Sequence, residues 1–169
     1  IVYLKIRCSE WYKESANYDV YHLEVNLVAM RDLPCLIVRQ RVTNPTSQPQ
    51  KLNFGSYTSG VSEWAVSGSE AKKADPADKR WLKIVSGDYV WLGKDGSGGK
   101  GLGLVSLTPP GFSIFLGHRI FWGYGNSRPV PPGGSVETVM AVMTADKPDQ
   151  VRLAAEKVRK TDLGEFLTP

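Results

Sequence analysis

The sequence is poor in the residues that build metal and redox sites. Its 169 residues include two cysteines and two histidines. Neither a Cys-x-x-Cys pair nor a histidine pair at ligand spacing occurs, so we expect no metal and no cofactor. No apolar run approaches the roughly 18 residues of a membrane span. Lys and Arg number 21 against 17 Asp and Glu, in small groups rather than a stripe, so we expect neither a nucleic acid nor a membrane as partner.

The two cysteines, Cys8 and Cys35, leave two interpretations open. Neighbouring strands could bring them together as the one disulfide of a secreted sandwich, or both are buried free thiols. The chain begins at Ile1 in a strand-like run, without Met and without a signal-peptide pattern. We therefore expect that a preceding segment was removed or belongs to another part of the protein. We also expect the protein to be extracellular or periplasmic.

Alternation with a period of two dominates the chain and predicts β-strands. Between Asp19 and Ala29, the odd-numbered residues from Tyr21 onward are apolar, whereas His22, Glu24 and Asn26 form a polar face on which we expect His22 to be exposed. A second strand, residues 36–43, follows after a short break, and the two predict a hairpin or meander. Further strands are predicted at 81–85 and 89–92 (as another hairpin), at 112–116, at 118–124 and at 135–144.

Glycine is concentrated between Gly93 and Gly103. Residues 96–101, Gly-Ser-Gly-Gly-Lys-Gly, match G-x-G-x-x-G by letter, but that dinucleotide motif needs a following helix, and the next residues are strand-like. A Walker A loop is excluded as well, because Lys100 is not followed by Ser or Thr. We predict a flexible hairpin loop that holds no cofactor.

The period changes to that of a helix near the C-terminus. Asp146 is predicted to cap a helix over residues 147–160, with Pro148 in its first turn. One face of this helix carries Val151, Ala154, Ala155 and Val158, and we expect it to pack on a sheet or to dock a neighbouring domain. With about ten short strands up to residue 144, separated by Gly/Pro turns, the sequence predicts one all-β domain over 1–169. That domain is an antiparallel β-sandwich, or a larger supersandwich, with one C-terminal α-helix.

Aromatic residues are the most suggestive feature for function, since the chain has five tryptophans. Trp122 and Tyr124 are two residues apart and share one face of a strand. Aromatic rings beside polar groups suit sugars, whose C–H faces stack on rings while their hydroxyls bond to side chains. The predicted ligand-binding residues are Trp122, Tyr124, His118, Arg119, Asn126 and Arg128.

The alternative is that the tryptophans fill the core of the sandwich. We expect this of Trp81 and Trp91, and for Trp122 and Tyr124 both alternatives are open. A catalytic role is open only to His118, as a general acid or base, and it would need a carboxylate partner brought close by the fold. The carboxylates considered are Glu63, Asp88 and Glu137.

Two segments resemble the sandwich modules of carbohydrate-active enzymes. Residues 36–46 resemble a rising strand followed by an Asn-x-Thr turn, and residues 130–137 resemble the Pro-Gly turn that opens a late strand. Both occur in the galactose mutarotase-like supersandwich and in immunoglobulin-like accessory domains. The mutarotase family pairs a catalytic His with a Glu base, but residues 53–57 contain no histidine. The resemblance therefore implies the fold and does not extend to the enzymatic activity.

Three hypotheses follow for function. The leading one is a carbohydrate-associated β-sandwich that binds sugar or accompanies a glycan-processing domain. The second is a non-catalytic structural or interaction module that uses a sheet face and the terminal helix. The third is a mutarotase- or lyase-type enzyme in which His118 acts as acid or base.

Overall fold

Two antiparallel sheets and one helix make up the part of the chain that the structure describes. A computed structural model describes residues 2–8, 22–50, 53–58, 63–74, 82–96, 98–108, 112–116, 120–125 and 129–164. It describes side chains within 23–50, 63–74, 88–96, 98–108 and 129–164. The elements are β1 (Val2–Cys8), β2 (His22–Ala29), β3 (Leu36–Thr43), β4 (Asn53–Thr58), β5 (Trp64–Ser67), β6 (Glu70–Lys73), β7 (Leu82–Gly87), β8 (Tyr89–Asp95), β9 (Gly98–Ser106), β10 (Phe112–Leu116), β11 (Ile120–Gly125), β12 (Ser135–Ala145) and α1 (Pro148–Lys160).

The strands form one large and one small sheet. The large sheet has eight strands in the order β1-β2-β3-β12-β9-β8-β5-β6, and the small sheet has four in the order β4-β11-β10-β7. The predicted antiparallel β-sandwich with a C-terminal helix is therefore confirmed, with twelve strands in the described residues instead of about ten. None of the described helical segments is both long and apolar enough to cross a membrane.

Of the hairpins predicted at 19–43 and at 81–92, the first is confirmed and the second is wrong. β2 pairs with β3 along its whole length. β7, however, pairs with β10 in the small sheet, whereas β8 pairs with β9 and β5 in the large one. The chain changes sheets at Asp88, whose carbonyl accepts a hydrogen bond from the backbone of Ser106 (2.7 Å). Turn residues mark a reversal in either case, so the turn at 86–88 did not reveal which strand follows.

The predicted hairpin between Gly93 and Gly103 is confirmed, because β8 and β9 pair there. Its loop is wrong in extent, since the two strands occupy most of this stretch. Its glycines make room for bulky neighbours. A Cβ on Gly93 would lie 1.9 Å from Cη2 of Trp91, one on Gly101 would lie 2.6 Å from Nε1 of the same ring, and one on Gly103 would lie 2.6 Å from Cγ2 of Val151. Gly93, Gly101 and Gly103, which we call the glycine floor, therefore leave the space in which the Trp91 ring and α1 pack.

The indole of Trp91 lies at the centre of the core between the large sheet and α1. It is 0% exposed, and its Nε1 donates to the carbonyl of Ala145 at 3.0 Å. The expectation that Trp91 is a core residue is confirmed, whereas Trp81 lies outside the described residues. α1 covers the ring with its predicted apolar face, Val151, Ala154, Ala155 and Val158, each at most 7% exposed. Burying each of these valines contributes about 1.5–3 kcal/mol.

The N-terminus of α1 differs from the prediction in its cap. Lys147, not Asp146, is the N-cap residue, and Pro148 occupies the first turn as predicted. The side-chain oxygen of Gln150 accepts the backbone N–H groups of Asp146 (2.6 Å) and Lys147 (3.2 Å). The side chain at the third helical position thus accepts hydrogen bonds from backbone N–H groups at the start of the helix, as in a capping box. Asp146 was predicted as the cap because aspartate is a preferred N-cap residue, whereas Gln150 provides the side-chain acceptor.

The C-terminal half of α1 is fastened to loops of the large sheet. Lys157 Nζ donates to the carbonyl of Asp32 at 2.5 Å, and Arg159 Nη2 donates to the carbonyls of Asp88 (3.2 Å) and Ser106 (3.4 Å). These bonds satisfy carbonyls at the ends of neighbouring elements. The apolar face of the helix therefore belongs to the chain's own core.

The strand register excludes a disulfide between Cys8 and Cys35. Cys8 lies opposite Leu23 at one end of β2, whereas Leu36, the neighbour of Cys35, lies opposite Ala29 at the other end. Six residues of strand separate the two positions, which is about 20 Å, and a disulfide needs Cα atoms within about 7 Å. Cys35 is a free thiol in the structure. Of the two interpretations, the disulfide is therefore wrong.

Alkylation of the unfolded protein tests this register. We expect iodoacetamide in denaturant, without reductant, to modify both Cys8 and Cys35, as shown by mass spectrometry. In the native state Cys35 should react more slowly than an exposed thiol. Burial raises the pKa of its thiol, only partly offset by the positive charge of Lys157, so less thiolate is present at neutral pH. A mass two protons lighter, with no alkylation until reductant is added, would contradict the register.

A methyl group on the glycine floor should destabilise the whole sheet. We expect Gly93→Ala to lower the free energy of unfolding by about 1–3 kcal/mol, because the Trp91 ring has to move. The matched control is Gly164→Ala, whose Cβ would meet only the end of the flexible Asp162 side chain at 3.0 Å. Urea unfolding followed by tryptophan fluorescence measures both variants. Equal stability of Gly93→Ala and the control would show that the floor is not needed.

Candidate functional site

The two aromatic residues predicted to bind sugar lie on β11, an interior strand of the small sheet. Trp122 is in register with Ser56 on β4 and Ile114 on β10, and Tyr124 is in register with Phe54 on β4. They occupy alternate positions of one strand and so share one face of the sheet, as predicted. The structure describes the backbone of these two residues and not their side chains. The other four predicted contacts lie entirely outside the described residues: His118, Arg119, Asn126 and Arg128.

The three carboxylates considered as partners of His118 occupy different surroundings. Glu63 is exposed, 3.6 Å from Lys73, and Asp88 is exposed, 3.4 Å from Arg159. Glu137 instead accepts a 2.6 Å hydrogen bond from Nη2 of Arg39, whose side chain is only 6% exposed. Surface ion pairs such as the first two contribute little. Glu137 is the carboxylate of the three that is fixed by a buried charge.

Glu137 belongs to a polar patch on the large sheet, which we call the polar end. The strand register places three rows of residues side by side on β2, β3 and β12. The first row is Glu24, Arg41 and Glu137, the second is Asn26, Arg39 and Val139, and the third includes Thr43 and Ser135. Continued along the strands, the same face carries Val28 and Ile37, which belong to the core cluster beneath α1. One face of the sheet is therefore apolar under the helix and polar beyond it.

The centre of the polar end is buried, contrary to the pattern of β2. The face expected to be polar and solvent-facing carries Asn26 at 1% and Val28 at 2% exposure, whereas the apolar Leu23 and Val25 on the opposite face are only half-buried. Asn26 Nδ2 donates to Oε1 of Glu24 at 3.3 Å. Polar residues that alternate with apolar ones usually face water, but both faces of this sheet are covered. The opposite face carries a second core cluster, which includes Leu104 and Met140, so only the expectation of a solvent-facing polar side is wrong. The side chain of His22 lies outside the described residues.

Arg39 fixes Glu137 and carries one donor without a partner. Its side chain is 6% exposed and that of Glu137 is 35% exposed, so the carboxylate reaches solvent while the guanidinium does not. Within the described part of the chain, Arg39 Nε has no acceptor. A buried unpaired donor costs about 1–3 kcal/mol, and such groups call for an explanation in structure or function.

A buried asparagine holds one edge of the polar end. Asn44, directly after β3, is 0% exposed and donates from Nδ2 to the carbonyls of Gln48 and Val130, both at 2.9 Å. Its Oδ1 accepts from the backbone N–H (3.0 Å) and the hydroxyl (2.7 Å) of Thr46. Its carbonyl accepts from Gly133, which has a φ of 71° that glycine adopts without strain. Asn44 thus ties the segment 36–46 to the segment 130–137, the two that carried the resemblance.

The described residues hold no group of three or more His, Cys, Asp and Glu side chains close enough to bind a metal ion. The pairs that do form join a carboxylate to a guanidinium or an ammonium group. Such pairs can orient a ligand by hydrogen bonds.

Comparison with known proteins gives a match at the level of fold. The chain matches no protein-family model and no curated protein. A solved structure named a "putative aldose 1-epimerase" from Klebsiella pneumoniae subsp. pneumoniae MGH 78578 is 11% identical, with a TM-score of 0.56, over 94% of this chain and 55% of that one. This chain has the galactose mutarotase-like fold. A second structure of the same name, from Escherichia coli K12, is 12% identical over 85% of this chain and 65% of that one, with a TM-score of 0.46.

The resemblance stated from residues 36–46 and 130–137 is therefore confirmed for the fold. The chain spans little more than half the length of the Klebsiella protein. At 11% identity the likeness shows how the strands are arranged and leaves the activity open. The residue that sequence reasoning missed is Arg39, because a strand pattern shows alternation and does not show which polar residue is buried.

A double-mutant cycle tests whether Arg39 and Glu137 form a compensated interior pair. Glu137→Leu leaves the buried guanidinium without its partner, and we expect it to cost about 1–3 kcal/mol of unfolding free energy. Arg39→Met combined with Glu137→Leu should cost less than Glu137→Leu alone, because both charges are removed together. Urea unfolding of the single and double variants measures the coupling. A double variant that loses the sum of both single effects would show that the two side chains do not interact.

Proposed function

We propose that this domain binds carbohydrate without epimerising it. The observation that carries the proposal is the fold likeness over 94% of the chain to a protein named as an aldose 1-epimerase, although only as "putative". That likeness shows the fold alone, and sugar binding by this domain is the proposal. It is supported by the aromatic pair on β11, which the strand register places on one face of the small sheet.

Trp122 and Tyr124 are the proposed stacking residues. The backbone of an interior strand is hydrogen-bonded to a neighbouring strand on each side, so its residues are positioned more rigidly than residues on a loop. Two aromatic positions a strand period apart are about 7 Å from one another, a spacing that suits the length of a sugar ring. His118, Arg119, Asn126 and Arg128, which precede and follow β11 in the sequence, are the proposed hydrogen-bonding residues for its hydroxyls.

The neighbouring strand supports binding without epimerisation. The resemblance implies a catalytic His paired with a Glu base, and β4 is the strand that lies beside β11 in register. Its six residues, Asn53–Thr58, contain Phe54 opposite Tyr124 and Ser56 opposite Trp122 but no histidine. A ring stacked on β11 would thus have no imidazole from β4 beside it.

Titration with sugars tests the binding. We expect tryptophan fluorescence or calorimetry to detect at least one of D-galactose, D-glucose and their disaccharides. Trp122→Ala and Tyr124→Ala should each weaken that binding about tenfold, equivalent to about 1.4 kcal/mol. The control is Leu153→Ala on the outer side of α1, where Leu153 is 54% exposed. Unchanged affinity in both aromatic variants would remove β11 as the site, and no response to any sugar would contradict the proposed function.

Polarimetry tests the absence of epimerisation. We expect the protein to leave the spontaneous mutarotation of freshly dissolved α-D-galactose unchanged, because β4, the strand beside β11, carries no histidine. The same measurement on His118→Ala is the control. Acceleration by the wild type that is lost in His118→Ala would instead establish the enzyme hypothesis.

The interaction-module hypothesis is the alternative. Because the apolar face of α1 is buried against the chain's own sheet, a neighbouring domain would meet its outer side, where Arg152, Leu153 and Glu156 are exposed. Arg152 and Glu156 already bond to each other at 2.7 Å. Leu153 is one apolar side chain among charges, so the helix supports docking less well than β11 supports sugar binding.

A further inference from the structure

β6 is the outermost strand on one side of the large sheet. It follows β5 through a two-residue turn at Gly68 and Ser69, and all four of its residues, Glu70–Lys73, are exposed. On its other side, no strand of the described residues pairs with it. Because an edge strand offers a row of free backbone donors and acceptors, it can take up a further strand.

Ala71 presents the outward backbone groups of this edge. In an antiparallel pair, residues whose N–H and C=O groups face the partner strand alternate with residues whose groups face away from it. The N–H of Ala74 donates to the carbonyl of Glu63 at 2.7 Å, so the backbone groups of Lys72 and Glu70 face β5 as well. Those of Ala71 therefore face outward, and among the described residues they have no partner.

The charged side chains of β6 fall into a balanced and an unbalanced set. Lys73 lies 3.6 Å from Glu63 of its own chain, which offsets its charge. Glu70 and Lys72 lie on the opposite face of the strand from Lys73. Within the described part of the chain neither of them forms an ion pair. One face of the edge therefore carries a negative and a positive charge, one strand period apart.

Two copies of β6 complement each other in one antiparallel register. Outward backbone groups have to meet outward groups, so Ala71 lies opposite either Ala71 or Lys73 of the second copy. The first register places Glu70 opposite Lys72 of the second copy, and it does so twice, with about 4.5 Å between the Cα atoms. The other register places Lys72 opposite Lys72. Opposite charges across strands stabilise a pair and like charges destabilise it, so the charges select the first register.

We propose that β6 is a self-association edge through which two copies of this domain join their large sheets around a two-fold axis. At the axis the two Ala71 residues exchange two backbone hydrogen bonds, flanked by two Glu70–Lys72 pairs, as an isologous contact requires. Lysines on a short edge strand discourage pairing with arbitrary strands, whereas Glu70 makes a second copy the complementary one. A four-residue contact buries far less than the roughly 1,200 Å² of a stable dimer, so the association is weak and depends on concentration.

Charge reversal tests the edge and its register together. We expect sedimentation equilibrium to detect dimers of the wild type at about 1 mM, in about 0.15 M salt, where only charges in contact contribute appreciably. Glu70→Lys and Lys72→Glu should each raise the dissociation constant at least about tenfold, because both cross-strand pairs become repulsive. An equimolar mixture of the two variants should associate at least as tightly as the wild type. One variant then carries lysine at both positions and the other glutamate at both, so both pairs are attractive again.

A charge reversal away from the edge provides the matched control. Lys100 is exposed on β9, which two strands separate from β6, and Lys100→Glu should self-associate like the wild type. Ala71→Pro removes the outward N–H without disturbing the bonds to β5, and it should abolish the dimer.

Four results would overturn the proposal. A wild type that stays monomeric at about 2 mM would do so and would leave the edge to a strand of another protein. A mixture that associates no more tightly than its two components would exclude the register. Equal loss of association in Lys100→Glu and Lys72→Glu would show that net charge matters and the edge does not. Dimers that persist in Ala71→Pro would place the contact elsewhere. Recovery in the mixture also shows that both variants are folded.

Discussion

The structure depends on one indole ring that lies over two glycines and beneath one helix. Trp91 needs the missing side chains of Gly93 and Gly101, and Gly103 leaves the space that Val151 of α1 enters. The ring, in turn, bonds to the carbonyl of Ala145, the last residue of β12. One interaction therefore joins β8, β9, β12 and the helix, and the glycine-rich stretch is the part of the sheet that tolerates no side chain.

The helix also divides its face of the large sheet into two regions. Where α1 lies, the sheet is apolar and belongs to the core; where α1 does not reach, the register brings guanidinium, carboxylate and hydroxyl groups into rows. Arg39 lies just beyond the apolar region, and its burial turns an ordinary cross-strand ion pair into a fixed one. The same packing that stabilises the fold thereby positions Glu137, on a sheet that is separate from the β11 aromatic pair.

The sequence predicted most strands, the helix and the kind of fold, because these follow from local periodicity and from turn residues. It could not predict which strands pair: the turn at Asp88 leads into a different sheet, and only contacts distant in sequence decide that. It misjudged Gly93 and Gly101, since glycine usually marks a loop and here serves a neighbouring ring. It also missed Arg39, because a polar residue in an alternating strand is ordinarily expected to face water, and here both faces of the sheet carry buried residues. Of the predicted sugar contacts, the register tests only the shared face of Trp122 and Tyr124.

The central proposal is that this β-sandwich binds sugar on β11 without epimerising it. A crystal structure of the domain with bound D-galactose tests it most directly. The account predicts a pyranose ring stacked against Trp122 or Tyr124 on β11, with no imidazole in contact with its anomeric carbon. A ring bound away from β11, or an imidazole and a carboxylate in contact with the anomeric centre, would contradict the account.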